Sequence, residues 1–408
     1  MRVLIATSHR NMVGGAEKYL QAVIPALLCR GYSIGLLHQY PVCSGIESVD
    51  TPDQGLPRWC SAELGHEATL RSLAKWAPDV VYSQGLEDTL LEDAVASRYP
   101  AVLYAHTYVG TCVSGRKCHS FPQIRPCERT LGPQCLALYY PRRCGGLHPG
   151  TMWRMFRQQS QSRAGFAQYR AMLVASSHMR REYEQHGAPR VQLLPLPITG
   201  GIPNTVAPSP RVPQGRLLFL GRLVDVKGAC HLIRAVPQAA QSLGRTLTVS
   251  LAGDGPERAN VQRLATQLNV NVVFSGWLEA QQKLELIRQS DLLAVPSLWP
   301  EPFGLVGIEA GTFGVPAAGY AVGGIPDWLI PGESGELAPG DPTTVAGLAD
   351  AIVRALADPV HYNKLRYGAW AKSKQFSLDN HMDGLEKVLA AAAPLHVPAE
   401  SVPVALDS

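Results

Sequence analysis

A proline-rich break separates two runs in which short apolar segments alternate with stretches of helical period. Six prolines fall between Pro195 and Pro213, with Gly200 and Gly201 among them. Such a passage can continue neither a helix nor a central strand. Before it, strands are predicted at 2–8, 33–38, 79–83, 101–106, 171–176 and 191–194, and helices at 66–76, 87–98, 150–168 and 177–187. Ala16, Leu20, Val23, Ile24 and Leu27 mark one face of a first helix, which Pro25 is expected to kink or shorten. After the break, strands are predicted at 216–220, 247–251, 271–274, 291–295 and 315–319, with helices at 228–242, 257–268, 280–290, 304–313 and 342–356. Near-continuous apolar strands between helices indicate parallel sheets covered on both faces. The expected architecture is α/β, with two Rossmann-like domains facing each other across a cleft. The domains are 1–200 and 216–375, joined by a linker at 201–215. A helix at 376–391 is expected to return to the first domain, followed by a mobile tail at 392–408.

The hydrophobic share of 46% and charged share of 17% exclude a disordered chain, a coiled coil and a collagen-like fibre. The net charge of +4 argues against a dedicated nucleic-acid binder. Its distribution is uneven: residues 94–181 hold 13 Arg and Lys against one acid, Glu128. Within that stretch, Trp153, Arg154, Met155, Phe156, Arg157, Arg163, Phe166, Tyr169 and Arg170 read either as a basic amphipathic helix for an anionic membrane or phosphorylated acceptor, or as an ordinary helix with its apolar stripe in the core. The N-terminal segment reads as a strand, without a signal-peptide pattern, and no stretch is long and apolar enough to span a bilayer. The expected location is cytoplasmic, with peripheral contact at the inner face of the membrane left open.

Two groups of residues carry chemistry. Arg222 follows a strand and Lys227-Gly228 opens the next helix, so two cations five residues apart stand at a strand's carboxyl end, suited to a diphosphate or simply to solvent. Farther on, Pro300-Glu301-Pro302-Phe303-Gly304-Leu305-Val306-Gly307-Ile308-Glu309 places two carboxylates around a helix start. Glutamates at 301 and 309 suit a ligand with hydroxyls at both ends, and the backbone N–H groups of 303–306 suit anionic oxygens.

These segments, with Gly14-Gly15-Ala16-Glu17, Phe219-Leu220-Gly221-Arg222-Leu223, Gly253-Asp254-Gly255-Pro256, Phe274-Ser275-Gly276-Trp277 and Val322-Gly323-Gly324-Ile325-Pro326-Asp327, resemble the retaining glycosyltransferase family of the GT-B fold usually numbered 4 (GT4). Asp327 stands where that family more often has Glu. The resemblance implies a nucleotide-diphosphate sugar as donor and a hydroxyl acceptor, lipid-linked or phosphorylated acceptors included. It implies Arg222 and Lys227 on the diphosphate, Glu309 on the ribose, Glu301 on the transferred sugar with Phe303, Gly304, Leu305 and Val306 beside it, and Gly276, Trp277 and Leu278 near the base. Gly14 and Gly15 would let backbone approach the donor, and His106 would face the reacting sugar. No Asp-x-Asp occurs in the chain, and the resemblance implies retention without a catalytic metal, by front-face attack. The alternatives are a non-catalytic nucleotide-sugar-binding module and a GT-B-fold sugar-nucleotide epimerase.

An insert at 107–148 carries Cys112, Cys118, Cys127, Cys135 and Cys144, spaced unlike the C-x2-C of common zinc sites. By resemblance to cysteine-bearing members of the family, Cys112, Cys127, Cys135 and Cys144 are the recurrent four. A structural Zn²⁺, disulfides and unlinked thiols are all compatible with them.

Overall fold

A computed structural model describes residues 1–12, 14–43, 45–50, 55–199 and 206–393. Residues 201–205 of the linker and the tail from 394 onward lie outside the described residues.

The first sheet contains β1 (Arg2–Thr7), β2 (Ser33–His38), β3 (Arg58–Cys60), β4 (Val80–Ser83) and β5 (Ala101–Ala105). After a small hairpin of β6 (Cys118–His119) and β7 (Arg125–Pro126), β8 (Ala171–Val174) and β9 (Val191–Leu193) complete it, in the order β3-β2-β1-β4-β5-β8-β9. Every pairing in this sheet is parallel. The second sheet contains β10 (Arg216–Leu220), β11 (Thr248–Ala252), β12 (Asn271–Gly276), β13 (Leu292–Val295), β14 (Ala317–Tyr320) and β15 (Gly335–Ala338), parallel throughout and ordered β12-β11-β10-β13-β14-β15. Along β1, Leu4 and Ala6 join one apolar cluster while Val3 and Ile5 join another. Both faces of the strand are therefore covered, which is why its sequence runs apolar rather than alternating.

The helices of the first half are α1 (Gly15–Cys29), α2 (Ser61–Leu64), α3 (His66–Trp76), α4 (Thr89–Ala96), α5 (Gln134–Tyr139), α6 (Pro149–Ala164) and α7 (Ser177–Gln185). Those of the second are α8 (Ala229–Leu243), α9 (Arg258–Gln267), α10 (Ala280–Gln289), α11 (Leu305–Gly311), α12 (Val345–Leu356), α13 (Pro359–Ser373) and α14 (Leu378–Ala392). Side-chain caps fix several starts: Asp88 accepts from Leu90 and Leu91, Ser176 from Met179, and Ser377 from Asn380. Pro25 neither shortens nor ends α1, which runs on to Cys29. The buried stripe of Tyr19, Leu20, Val23, Ile24 and Leu27 offsets the hydrogen bond lost at the proline. The strand predicted from Val315 begins two residues later, because Pro316 has no N–H to give the ladder and only its carbonyl is used, by Leu293. The helix predicted to run through 168 ends at Ala164, and residues 165–168 form a 3-10 turn. β3, β6, β7, β15, α2, α5 and α13 have no counterpart among the predicted elements.

α14 leaves the second half and packs on the first. Met382, Leu385 and Leu389 share a buried cluster with β1, β2 and α1 residues. His381 clips the helix in place: Nδ1 donates to the Pro195 carbonyl at 2.8 Å and Nε2 lies 2.7 Å from the Tyr19 hydroxyl. Those partners fit the neutral Nδ1–H tautomer. Burial pushes the His381 pKa down to about 4. The unfolded chain takes up that proton near pH 6.5, so this group's contribution is fully present above 6.5 and is lost as pH falls toward 4. The loss is at most about 1.4 kcal/mol per pH unit. Urea unfolding at pH 7.5 and pH 5.0 is expected to show that loss for the native chain and a smaller one for His381→Gln. An identical loss in the variant would contradict the assignment.

Candidate active site

In each sheet the strand order reverses beside the first strand, between β1 and β4 and between β10 and β13. Ligands of open α/β sheets bind outside the carboxyl ends of the strands at such a switch point. Arg222 and Lys227 follow β10, and Ser297 to Glu301 follow β13. Residues 74 positions apart thus meet: Lys227 Nζ lies 2.6 Å from Glu301 Oε1.

Glu301 is 5% exposed. Its Oε1 also accepts from the Ser297 hydroxyl at 2.6 Å and from Trp299 Nε1 at 2.9 Å. Among the described residues, every hydrogen bond to this carboxylate falls on Oε1, which leaves Oε2 to accept from a ligand hydroxyl. The Trp299 ring also lies under Lys227, 5.6 Å from Nζ to centroid. Arg222 is exposed, and its guanidinium has no ion-pair partner among the described residues. Five residues before Lys227 in the connection from β10 to α8, it is a cation available to an anionic ligand. Glu309, one helical turn into α11, is held by Lys283 of α10, with Nζ at 3.1 and 3.0 Å from its two oxygens.

Two glycines make this geometry feasible. Gly228 has φ +71, and a Cβ there would stand 1.9 Å from the Pro296 carbonyl oxygen, so the turn after Lys227 presses against the strand end that leads to Glu301. At Gly323, φ +57, a Cβ would come within 2.3 Å of the Glu301 carbonyl oxygen. The next residue, Gly324, donates its N–H to that oxygen at 2.7 Å. The same loop meets the first domain: Asp327 Oδ2 accepts from Ser177 N at the start of α7, at 2.6 Å.

The remaining residues singled out in the sequence fall as follows. Phe303 is buried and its carbonyl accepts from Trp328 Nε1. Gly304 is left-handed (φ +89), and Leu305 and Val306 begin α11. Gly276 ends β12, with Trp277 beside it 72% exposed and Leu278 half-buried. Gly14 caps α1, its N–H donating to Glu17 at 2.7 Å, and the space in front of Gly15 is open. His106 follows β5 in the first sheet. It lines a cavity of about 150 Å³ at the ends of β4 and β5. Its Nε2 bonds Gln84 Oε1 at 2.7 Å, and its ring lies against Tyr19 and Tyr104. Burial, aided by His381, pushes its pKa down to about 3, so it is a neutral imidazole. Sequence reasoning misses Ser297, Trp299 and Lys283. A Trp two residues before Glu301 is the only signal that could have found any of them.

The sequence leaves the cysteine insert open between a structural metal, disulfides and unlinked thiols. All nine cysteines stand as free thiols in this structure. Among the described residues no group of three or more His, Cys, Asp or Glu is arranged to hold a metal ion. Cys112, Cys118, Cys127, Cys135 and Cys144 instead line a cavity of about 30 Å³. Burial raises the thiol pKa at Cys118 to about 12; burial, followed by the neighbouring Cys112, Cys127 and Cys135, raises that of Cys144 to about 11. Val113, Leu131 and Tyr139 form a small core, with Cys135, Cys144, Met152, Met155 and Phe156 packed on it. The insert thus has a small hydrophobic centre, against which Cys135 and Cys144 pack.

Residues 208–371 match the model of the family described as glycosyl transferases group 1. The match falls on the second domain and the residues that flank it. The glycogen synthase of Mycobacterium tuberculosis is 25% identical over 378 residues, covering 88% of this chain and 87% of that one. The 2-deoxystreptamine glucosyltransferase of Streptomyces kanamyceticus is 33% identical over 173 residues, 41% of this chain and 43% of its own. Sucrose-phosphate synthase from Thermosynechococcus elongatus superposes with a TM-score of 0.69 at 19% identity, covering 96% of this chain and all of that one. Anabaena HepE in complex with UDP-glucose gives 0.66 at 19% identity, with coverage of 96% and 100%. The fold is GT-B.

Proposed function

We propose that this protein is a retaining GT4 glycosyltransferase that moves a sugar from a nucleotide-diphosphate sugar to an acceptor hydroxyl in polysaccharide, glycolipid or natural-product assembly. The observation that carries the reading is Lys227 and Glu301 joined at the switch point of the domain that matches the group 1 glycosyltransferase model, with Arg222 exposed five residues before Lys227. Arg222 and Lys227 grip the donor diphosphate and stabilise the charge that grows on it as the glycosidic bond breaks. Glu301 Oε2 accepts from a hydroxyl of the transferred sugar, while Ser297 and Trp299 hold the carboxylate still. Glu309 takes the ribose hydroxyls in exchange for part of its contact with Lys283. Gly276, Trp277 and Leu278 border the base, and Gly14 and Gly15 give the donor a backbone surface. His106, neutral and fixed by Gln84, offers a hydrogen bond at the acceptor side. The acceptor attacks from the face the diphosphate leaves, and a departing phosphate oxygen takes its proton. The two cations supply the charge that an Asp-x-Asp-bound metal supplies elsewhere.

UDP-, GDP-, ADP- and TDP-sugars form the test panel, read by thermal shift. A matched donor at a hundredfold excess over its Kd is expected to stabilise the fold by about 2.7 kcal/mol. If no nucleotide sugar raises the midpoint, the reading fails. With the matched donor, transfer unchanged by EDTA and an axial-to-axial anomeric outcome by NMR test the metal-independent, retaining chemistry. No helix among the described residues is long and apolar enough to cross a membrane. Exposed Trp153, Arg154 and Arg157 on α6 give it a face for an anionic bilayer at the inner side of the membrane. Salt-sensitive co-sedimentation with anionic vesicles is the expected result, and its absence would remove the membrane contact while leaving the enzyme.

A further inference from the structure

The 13 basic residues of 94–181 do not act as one patch. Lys117 is buried against Glu182, 2.7 Å away. The Arg163 guanidinium is used up on the carbonyls of Leu131 and His186. Arg116 reaches across to Asp225, two residues before Lys227, at 3.1 Å. Arg125, Arg129 and Arg142 all line one cavity of about 560 Å³ between the insert and the second domain.

That cavity is built rather than incidental. Arg125 lies on β7, paired with His119 of β6. The Arg142 carbonyl accepts the N–H groups of Ser120 and Phe121, which ties it to the tip of the same hairpin. The Arg129 carbonyl accepts from Lys117, itself fixed by Glu182. His119 and His178 complete the first-domain wall, and Gly323 and Gly340 stand opposite. The carboxylates in the lining are Glu128 and Asp341, and Asp341 takes Arg125 at 3.4 Å. Arg129 and Arg142 have no ion-pair partner among the described residues. Burial, followed by Arg142, Arg129 and Arg125, lowers the His119 pKa, so the local field is positive at that wall. The cavity also adjoins the proposed point of transfer, because Gly323 packs on the backbone of Glu301.

We propose that Arg129 and Arg142, with Arg125 and His119 beside them, form an oxyanion subsite that takes a phosphate or carboxylate of the acceptor. The assignment to the acceptor rests on the glycosyltransferase reading; the site itself does not. Two guanidiniums whose backbone is tied to residues of and beside the hairpin, facing a cavity that a donor diphosphate held by Arg222 and Lys227 does not need, recognise a second anion. The insert thereby carries a charge reader to the far side of the cleft and anchors it there through Arg116–Asp225 and Arg125–Asp341.

Isothermal titration with inorganic phosphate, and separately with acetate, tests the subsite. The protein used carries Arg222→Ala and Lys227→Ala, so that the donor diphosphate site cannot answer. Saturable binding of one of the two anions is expected, weakened at least about tenfold when Arg129→Ala and Arg142→Ala are added. Lysine at both positions is expected to recover most of the binding, which separates lost charge from lost fold. Whichever anion binds identifies the acid. No saturable binding of either, or affinity indifferent to Arg129 and Arg142, would overturn the subsite. Failure of the nucleotide-sugar panel would leave this titration unaffected, so the two readings fail separately.

Discussion

Lys227→Ala lowers sugar transfer by about two to three orders of magnitude, the size seen when one preorganised charge-stabilising donor is removed. The ammonium has two partners to serve. Without donor it pairs with Glu301 at 2.6 Å; in the proposed role it also faces the donor diphosphate. Its removal therefore strips the leaving group of a cation and leaves a nearly buried carboxylate with only Ser297 and Trp299. The stability cost is smaller, about 1 kcal/mol, because the Lys227 side chain is 30% exposed and water screens part of the pair. Steady-state kinetics with the matched donor and a far-UV spectrum of the variant make the check. Glu301→Gln combined with Lys227→Ala closes a double-mutant cycle. The combined loss is expected to fall well short of the product of the single losses, since the two groups act as one unit. Wild-type turnover in Lys227→Ala would remove the role assigned to it.

Gly228→Ala unfolds the second domain at markedly lower denaturant, at a cost of about 3 kcal/mol. The added methyl needs space now taken by the Pro296 carbonyl oxygen, 1.9 Å away, and that neighbour is backbone. The other end of α8 provides the control. Gly244 is also left-handed, φ +61, but nothing lies within 4 Å of a Cβ there. Gly244→Ala is expected to cost only the conformational part, about 1 kcal/mol. Equal costs at the two ends would mean that backbone conformation, not the close approach to Pro296, dominates. Urea midpoints of the two variants decide between them.

The alternation of strands and helices is legible because both sheets are parallel and covered on both sides, so each strand announces itself as an apolar run. β3, three residues long, and β15, which carries a buried Glu336, send no such signal. α13 hides behind Arg366 and Gly368, buried positions that break its apolar stripe. The residue types of the candidate site can be read locally, but their partnerships cannot. Nothing in the spacing joins Lys227 to Glu301 across 74 positions, or Lys283 to Glu309 from a neighbouring helix. Charge counting fails in the same way: it weighs Lys117, spent in the interior, equally with Arg142, which faces a cavity.

α14 makes the connection between the halves double. The chain passes from the first sheet to the second after β9 and returns through residues 374–377, where Ile198 N bonds the Phe376 carbonyl at 2.9 Å. Two bodies joined by a single thread can tumble independently, whereas two bodies joined by adjacent threads can only swing about the line through both. A protease that severed the proline-rich passage would release neither half, since Met382, Leu385 and Leu389 would still hold the second to the first.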